Sequence, residues 1–182
     1  MWRDVLAHAH WTPALAAHGT AVLRRTFGLP ADRGEIPPFI ALHARHGDFA
    51  MYCSDVSPAC FASLDAFARR VVEVQDALEA WTGVRPTRVV MTGDESDEAW
   101  WEDVAARGWH RLRHQGEAKE LGSEEYGNWY PVLMDAVVQS MAIGFVGTEE
   151  STFSHIARRR VVDWNRGVAR MVKWGRQGAD DH

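Results

Sequence analysis

Apolar residues along this chain keep two rhythms in alternation, the wide spacing of half-buried helices and short unbroken runs suited to buried strands. Thr12 before Pro13 reads as a helix start, a capping hydroxyl ahead of a first-turn proline, and Leu15, Val22, Leu23 and Phe27 follow at helical spacing until Gly28 and Pro30. Phe39 to Leu42 is apolar and too brief for a helix, so it predicts a buried strand feeding a Gly-containing loop. From Phe61 to Trp81, Leu64, Phe67, Val71, Val74 and Leu78 line one helical face, with Gly83 as the stop.

The cycle then repeats. Arg88 to Met91 predicts a second strand, and Thr92-Gly93-Asp94 turns into a helix carrying Trp100, Trp101 and Val104 that closes at Gly108. Gln115 to Asn128 is acidic and poor in apolar residues, which predicts a mobile or ligand-gated loop. Tyr130 to Ala142 is helical, Gly144 to Gly147 a third strand, Ser151 to Arg159 a short helix and Val161-Val162 a fourth strand; Asp180-Asp181-His182 reads as a free tail. Alternating strands and helices of this kind predict an α/β fold, a mostly parallel Rossmann-like sheet with helices on both faces. Ligands of such sheets sit beyond the carboxyl ends of the strands, which directs attention to the loops after Leu42, Met91 and Val146.

Two of these loops suit an anion. In His43-Ala44-Arg45-His46-Gly47-Asp48, alternation sends His43 and Arg45 to one side, and a guanidinium presents a charged planar fork of donors; the competing reading is an Arg45–Asp48 ion pair that only stiffens the loop. In Gly147-Thr148-Glu149-Glu150-Ser151-Thr152-Phe153-Ser154, a strand turns into a hydroxyl-rich helix start whose unpaired amides and dipole favour phosphate; the competing reading is plain capping by Glu149 or Ser151, and no Walker lysine follows.

Composition narrows the choice. A net charge of -5 excludes a broad nucleic-acid surface, so any anion site is local. No apolar run reaches the roughly 20 residues of a spanning helix, Met1-Trp2-Arg3-Asp4 lacks the core of a secretory signal, and the scattered His and two Cys predict no metal site. Cys53 and Cys60 suit either a small loop disulfide or two ordinary thiols. The chain length predicts one domain over residues 1–182 with an ordered core of about 12–175. An α/β hydrolase is disfavoured because no Gly-x-Ser-x-Gly elbow is present.

Taken in order, these motifs resemble the GDP-fucose protein O-fucosyltransferase-like glycosyltransferases, particularly the fungal type. The resemblance runs from residue 39 to 164: the His43 to Asp48 loop, Thr92-Gly93-Asp94-Glu95, Asp135 ten residues before Phe145, Phe145 to Thr148, Ser151 to Ser154, and a strand at Arg160-Val161-Val162-Asp163-Trp164. It implies the C-terminal lobe of a two-lobed GT-B enzyme that holds a GDP-sugar and transfers the sugar with inversion and without a metal, in keeping with the absence of a DxD triplet. By motif, Arg45 binds the diphosphate and stabilises the leaving group with His43 beside it; Ser151, Thr152 and the Phe153 backbone complete the pocket; Asp135, otherwise an ordinary helix-surface acid, accepts from guanine. The resemblance also implies an N-terminal lobe that this sequence lacks, so transfer is expected only where that lobe is supplied, and a secretory-pathway location for the intact protein. The alternatives are a nucleotide-sugar-binding module without turnover and a protein-interaction domain docking through exposed Trp100, Trp101, Trp109 and Trp129.

Overall fold

The computed structural model describes residue 5, residues 8–31, 34–53 and 60–112, residue 127 and residues 129–180. The expected loop between Gln115 and Asn128 lies outside these residues apart from Gly127, as do Asp181 and His182.

Five helices and five strands follow the predicted alternation among the described residues. Helix α1 (Pro13–Thr26) begins where the Thr12 hydroxyl accepts from the Leu15 amide. Strand β1 is Phe39–Ala44, followed by a 3-10 turn at Gly47–Tyr52. Helix α2 (Leu64–Thr82) starts after Ser63, whose hydroxyl accepts from Ala66 N at 3.2 Å, and stops at Gly83 in the left-handed region with φ 74°. Then come β2 (Arg88–Gly93), α3 (Glu98–Ala106, capped by Asp97), β3 (His110–Arg111), α4 (Tyr130–Ser140), β4 (Gly144–Thr148), α5 (Thr152–Asn165) and β5 (Val168–Val172).

All strand pairs are parallel, in the order β3-β2-β1-β4-β5. Burial on both faces follows from strand alternation. Ile40, Leu42 and Ala44 join Phe67, Val71, Val74 and Leu78 of α2 and Trp101 and Val104 of α3 in one core. Phe39 and Ala41 join α1, α4 and α5 through Val22, Leu23, Met134, Val137, Ala157 and Val161 in the other. Gly144 sets the approach of β4 to α2, since a Cβ there would meet Val74 Cγ1 at 2.6 Å and Ile40 Cγ1 at 2.9 Å. From β1 the chain winds outward through β2 and β3, then returns to the other side of β1 as β4. The strand order therefore reverses between β1 and β4, the position at which open α/β sheets commonly bind ligands.

Four expectations fail. Val161 and Val162 form no strand: β-branched residues suggested one, but Ser154, Ala157 and Val161 keep helical spacing and carry α5 through Asn165. The strand read at Arg160 to Trp164 is helix for the same reason, and the real fourth and fifth partners of the sheet are β3 and β5. The break falls at Arg166, in the left-handed region, and Gly167, where a Cβ would press on Ile143 O and on Val161 Cγ1. Asp180 is not part of a free tail. It is 3% exposed, accepts from Arg70 Nε at 3.1 Å, Arg70 Nη2 at 3.0 Å and Lys173 N at 3.0 Å, and pins the segment after β5 onto α2. Nor do four tryptophans form an exposed face. Trp101 is 5% exposed and Trp100 and Trp109 pack against the α2/α3 core; of the four only Trp129 projects, at 79%.

The Asp180 clasp makes a direct prediction. Asp180→Ala leaves the Arg70 guanidinium without its bidentate partner and is expected to lower the unfolding free energy by about 2–3 kcal/mol in urea titration. A change within experimental error would show that the segment contributes nothing to stability.

Candidate functional site

The carboxyl ends of the paired strands β1 and β4 bring together the two loops singled out from the sequence. Thr148, the last residue of β4, donates its hydroxyl to His43 O at 3.1 Å and accepts from Arg45 N at 3.0 Å, extending the β1–β4 ladder through a side chain. Ser154 lies fully buried in the first turn of α5. Its Oγ accepts from Thr148 N at 3.1 Å and lies 2.7 Å from His43 Nδ1. Gly147 makes this contact possible, because a Cβ there would sit 2.7 Å from Ser154 Cβ. The ring of Phe153 lies 4.9 Å from that of His43.

His43 is neutral. Burial first, then the neighbouring positive charge of Arg45 and the proximity of His46, lower its pKa to about 3. A neutral ring carries one proton. With Ser154 Oγ already accepting from Thr148 N, its own hydroxyl hydrogen has His43 Nδ1 as its available acceptor among the described residues. That assignment leaves the proton on Nε2, so His43 offers an uncharged donor beside Arg45.

Arg45 stands in a half-exposed position with both guanidinium ends engaged: Nη2 lies 2.7 Å from Asp48 Oδ1, and Nη1 bonds Asp94 Oδ2. The Arg45–Asp48 pair, considered as the competing reading of the loop, is thus present. Asp94 was missed as a partner. It lies after β2, in register with the end of β1, and its other oxygen accepts from His46 N at 2.8 Å; an acidic residue following Gly93 on the strand adjacent to an Arg was the available signal.

Ser151 caps α5, its Oγ accepting from Ser154 N at 3.3 Å, so the capping reading of that hydroxyl holds. The amides of Thr152 and Phe153 are first-turn groups with no intrahelical acceptor, on the same helix turn as Ser154, which bonds Thr148 and contacts His43. Glu150 adopts φ 66°, a conformation that non-glycine residues occupy at a cost of about 1–3 kcal/mol and that concentrates at ligand sites.

Asp135 is elsewhere, half-buried on α4, and is not among the residues that line a cavity of about 300 Å³ between α4 and α5. Val132, Ala136 and Gln139 border that cavity from α4, and Phe153, Ala157 and Arg160 from α5. Gln139 donates from Nε2 to Thr92 Oγ1 at 2.7 Å, whose own hydrogen goes to Leu42 O, so Gln139 Oε1 is left buried without a partner. Arg160 Nε is likewise buried and unpartnered, its guanidinium 4.1 Å over the ring of Trp11 and held below its usual pKa by burial. Two residues that border the cavity thus each hold one buried polar atom without a partner, an acceptor on Gln139 and a donor on Arg160.

No known family profile matches the chain, and none of the curated proteins does. Solved structures do. POFUT1 in complex with GDP aligns over 93% of this chain and 50% of its own, with a TM-score of 0.56 and 13% identity. POFUT1 in complex with GDP-fucose covers 93% and 49% at 0.56 and 14%, and its apo form 95% and 49% at 0.56 and 15%. At such identity the likeness shows the α/β fold and no subtype, fungal or other. This chain spans about half the length of those proteins.

Because His43 is buried neutral and titrates near 6.5 once unfolded, protons bind the unfolded chain first as pH falls below 6.5. Its contribution to stability is present above that pH and is lost on the way down toward pH 3. His43→Gln is therefore expected to flatten the stability curve between pH 6 and 4 by roughly 1.4 kcal/mol per pH unit relative to wild type. Parallel curves for the two proteins would rule out a buried neutral imidazole.

Proposed function

We propose that residues 1–182 form the sugar-nucleotide-binding lobe of an inverting, metal-independent O-fucosyltransferase-like glycosyltransferase, with a GDP-sugar, GDP-fucose first, as donor. The observation that carries this reading is the convergence at the strand-order reversal: the His43/Arg45 loop and the first turn of α5 are bonded together through His43, Thr148 and Ser154. Solved structures of the same fold hold GDP and GDP-fucose.

In this reading the diphosphate lies against the Thr152 and Phe153 amides, Ser151 and Thr152 complete the helix-start cradle, and Arg45 and His43 donate from the opposite wall. Asp48, the more exposed of the two carboxylates on Arg45, gives way to phosphate, while Asp94 keeps the guanidinium aimed. The base enters the α4–α5 cavity, with Phe153 at its edge and Gln139 Oε1 and Arg160 Nε as unmatched polar groups, and Asp135 accepts from guanine N1 and N2. Negative charge grows on the diphosphate as the sugar leaves, so a preorganised cation and fixed amides bind the transition state more tightly than the donor, which assigns Arg45 the catalytic part.

On this reading acceptor contacts come from a second lobe, and transfer to a protein or glycan, as distinct from water, depends on that lobe being supplied. The Cys53–Cys60 bridge, with Cα atoms 5.8 Å apart, supports the oxidising secretory pathway as its location.

Calorimetry decides the first step. Wild type is expected to bind GDP and GDP-fucose, and Arg45→Ala to weaken both by roughly 10- to 100-fold, the loss of a charge-assisted contact worth about 1.5–3 kcal/mol. Equal affinity of the two proteins, or no heat from wild type, contradicts the proposal.

A further inference from the structure

A second polar arrangement stands on the opposite side of the same strand ends. His46 packs its ring on Phe61, with centroids 4.3 Å apart and 24° between planes, and edge-on against Trp100 at 5.3 Å. It borders a cavity of about 820 Å³ framed by the starts of α2 and α3 and the segment after β5. Its Nδ1 lies 2.5 Å from Glu95 Oε2.

Glu95 is held in turn, its Oε1 accepting from Asp97 N at 2.7 Å. Burial works against its charge, but the Asp97 amide, His46 and the Ser96 amide outweigh that and keep the carboxyl below the usual range. A carboxylate on Nδ1 takes that nitrogen's hydrogen and leaves the lone pair on Nε2. A purely structural buried histidine commonly has both nitrogens satisfied. Here Nε2 has no hydrogen-bond partner among the described residues, and it is not among the buried atoms left without one, so it is accessible, on a side chain that borders the cavity. The neighbour of Glu95 ties this pair to the first site: Asp94 bonds both the Arg45 guanidinium and the His46 amide.

Resting on the sugar-nucleotide reading, we propose that the His46–Glu95 pair is the proton acceptor for the attacking hydroxyl, which is seated in the large cavity on the α2/α3 side while the donor occupies the α4/α5 side. The hydroxyl oxygen forms a bond to the anomeric carbon and passes its proton to His46 Nε2. The bond from that carbon to the diphosphate oxygen breaks, and its electron pair leaves with GDP. Glu95 balances the imidazolium, which returns its proton to water.

Water serves as the acceptor in the test. Wild type, His46→Gln, His46→Ala and Glu95→Gln are compared for GDP-fucose affinity by calorimetry and for GDP release over time. His46→Gln is expected to bind the donor as wild type does, which shows that it is folded, and to release GDP roughly 100-fold more slowly or worse. Free imidazole is expected to restore part of the rate in His46→Ala, and Glu95→Gln to lose rate without losing affinity. Release by His46→Gln at the wild-type rate, no response to imidazole, or a wild type that binds the donor and never releases GDP overturns the assignment. A wild type that does not bind the donor instead overturns the sugar-nucleotide reading itself.

Discussion

The ends of β1 and β4 are joined by side chains as well as by the sheet ladder, and the rest of the site depends on that junction. Thr148 binds the backbone on either side of Ala44, and Ser154 reaches from α5 to both Thr148 N and His43. Each of these groups is buried, so each unmade bond would carry a desolvation cost of about 1–3 kcal/mol. The network therefore holds one geometry: the first turn of α5 is tied through Ser154 to the strand end that carries His43 and Arg45. Gly147 belongs to the same constraint, since no other side chain leaves room for Ser154 against the strand.

Charge is managed locally. In a chain of net charge -5, Arg45 is bracketed by two carboxylates, Asp48 and Asp94, so this cluster carries one more negative than positive charge. On the proposed reading a ligand phosphate would compete with a carboxylate, helped by neutral donors, the His43 ring and helix-start amides, which add no charge to be desolvated. Two cavities flank the sheet, one on the α4/α5 side with apolar walls and isolated polar groups, the other on the α2/α3 side where charged residues frame His46 and Glu95.

Much of this was readable along the chain because the informative signals were local. Unbroken apolar runs marked β1, β2 and β4, and Thr12-Pro13 and Gly83 marked helix ends, so the α/β class and the position of both loops followed. What escaped was set by distance or by interrupted patterns. The β3 edge strand is His110-Arg111, with no apolar residue to announce it, and Arg170 breaks the run of β5. Val161-Val162 carried strand propensity, which packing on the sheet at helical spacing overrode. Asp180 pairs with Arg70 across most of the chain, and Asp94 with Arg45 across two strands. The roles of Ser151 and Ser154 divide in a way that hydroxyl content alone does not reveal, one capping the helix and the other bonding His43.

The central claim is that Arg45, His43 and the first turn of α5 form one anion-binding wall. The direct measurement is a titration of the isotopically labelled chain with GDP followed by amide and guanidinium resonances. The account predicts that Thr152 and Phe153 amides, the Arg45 side chain and the His43 ring shift together along one saturating curve. Shifts confined to other surfaces, or none at all as GDP rises, would contradict it.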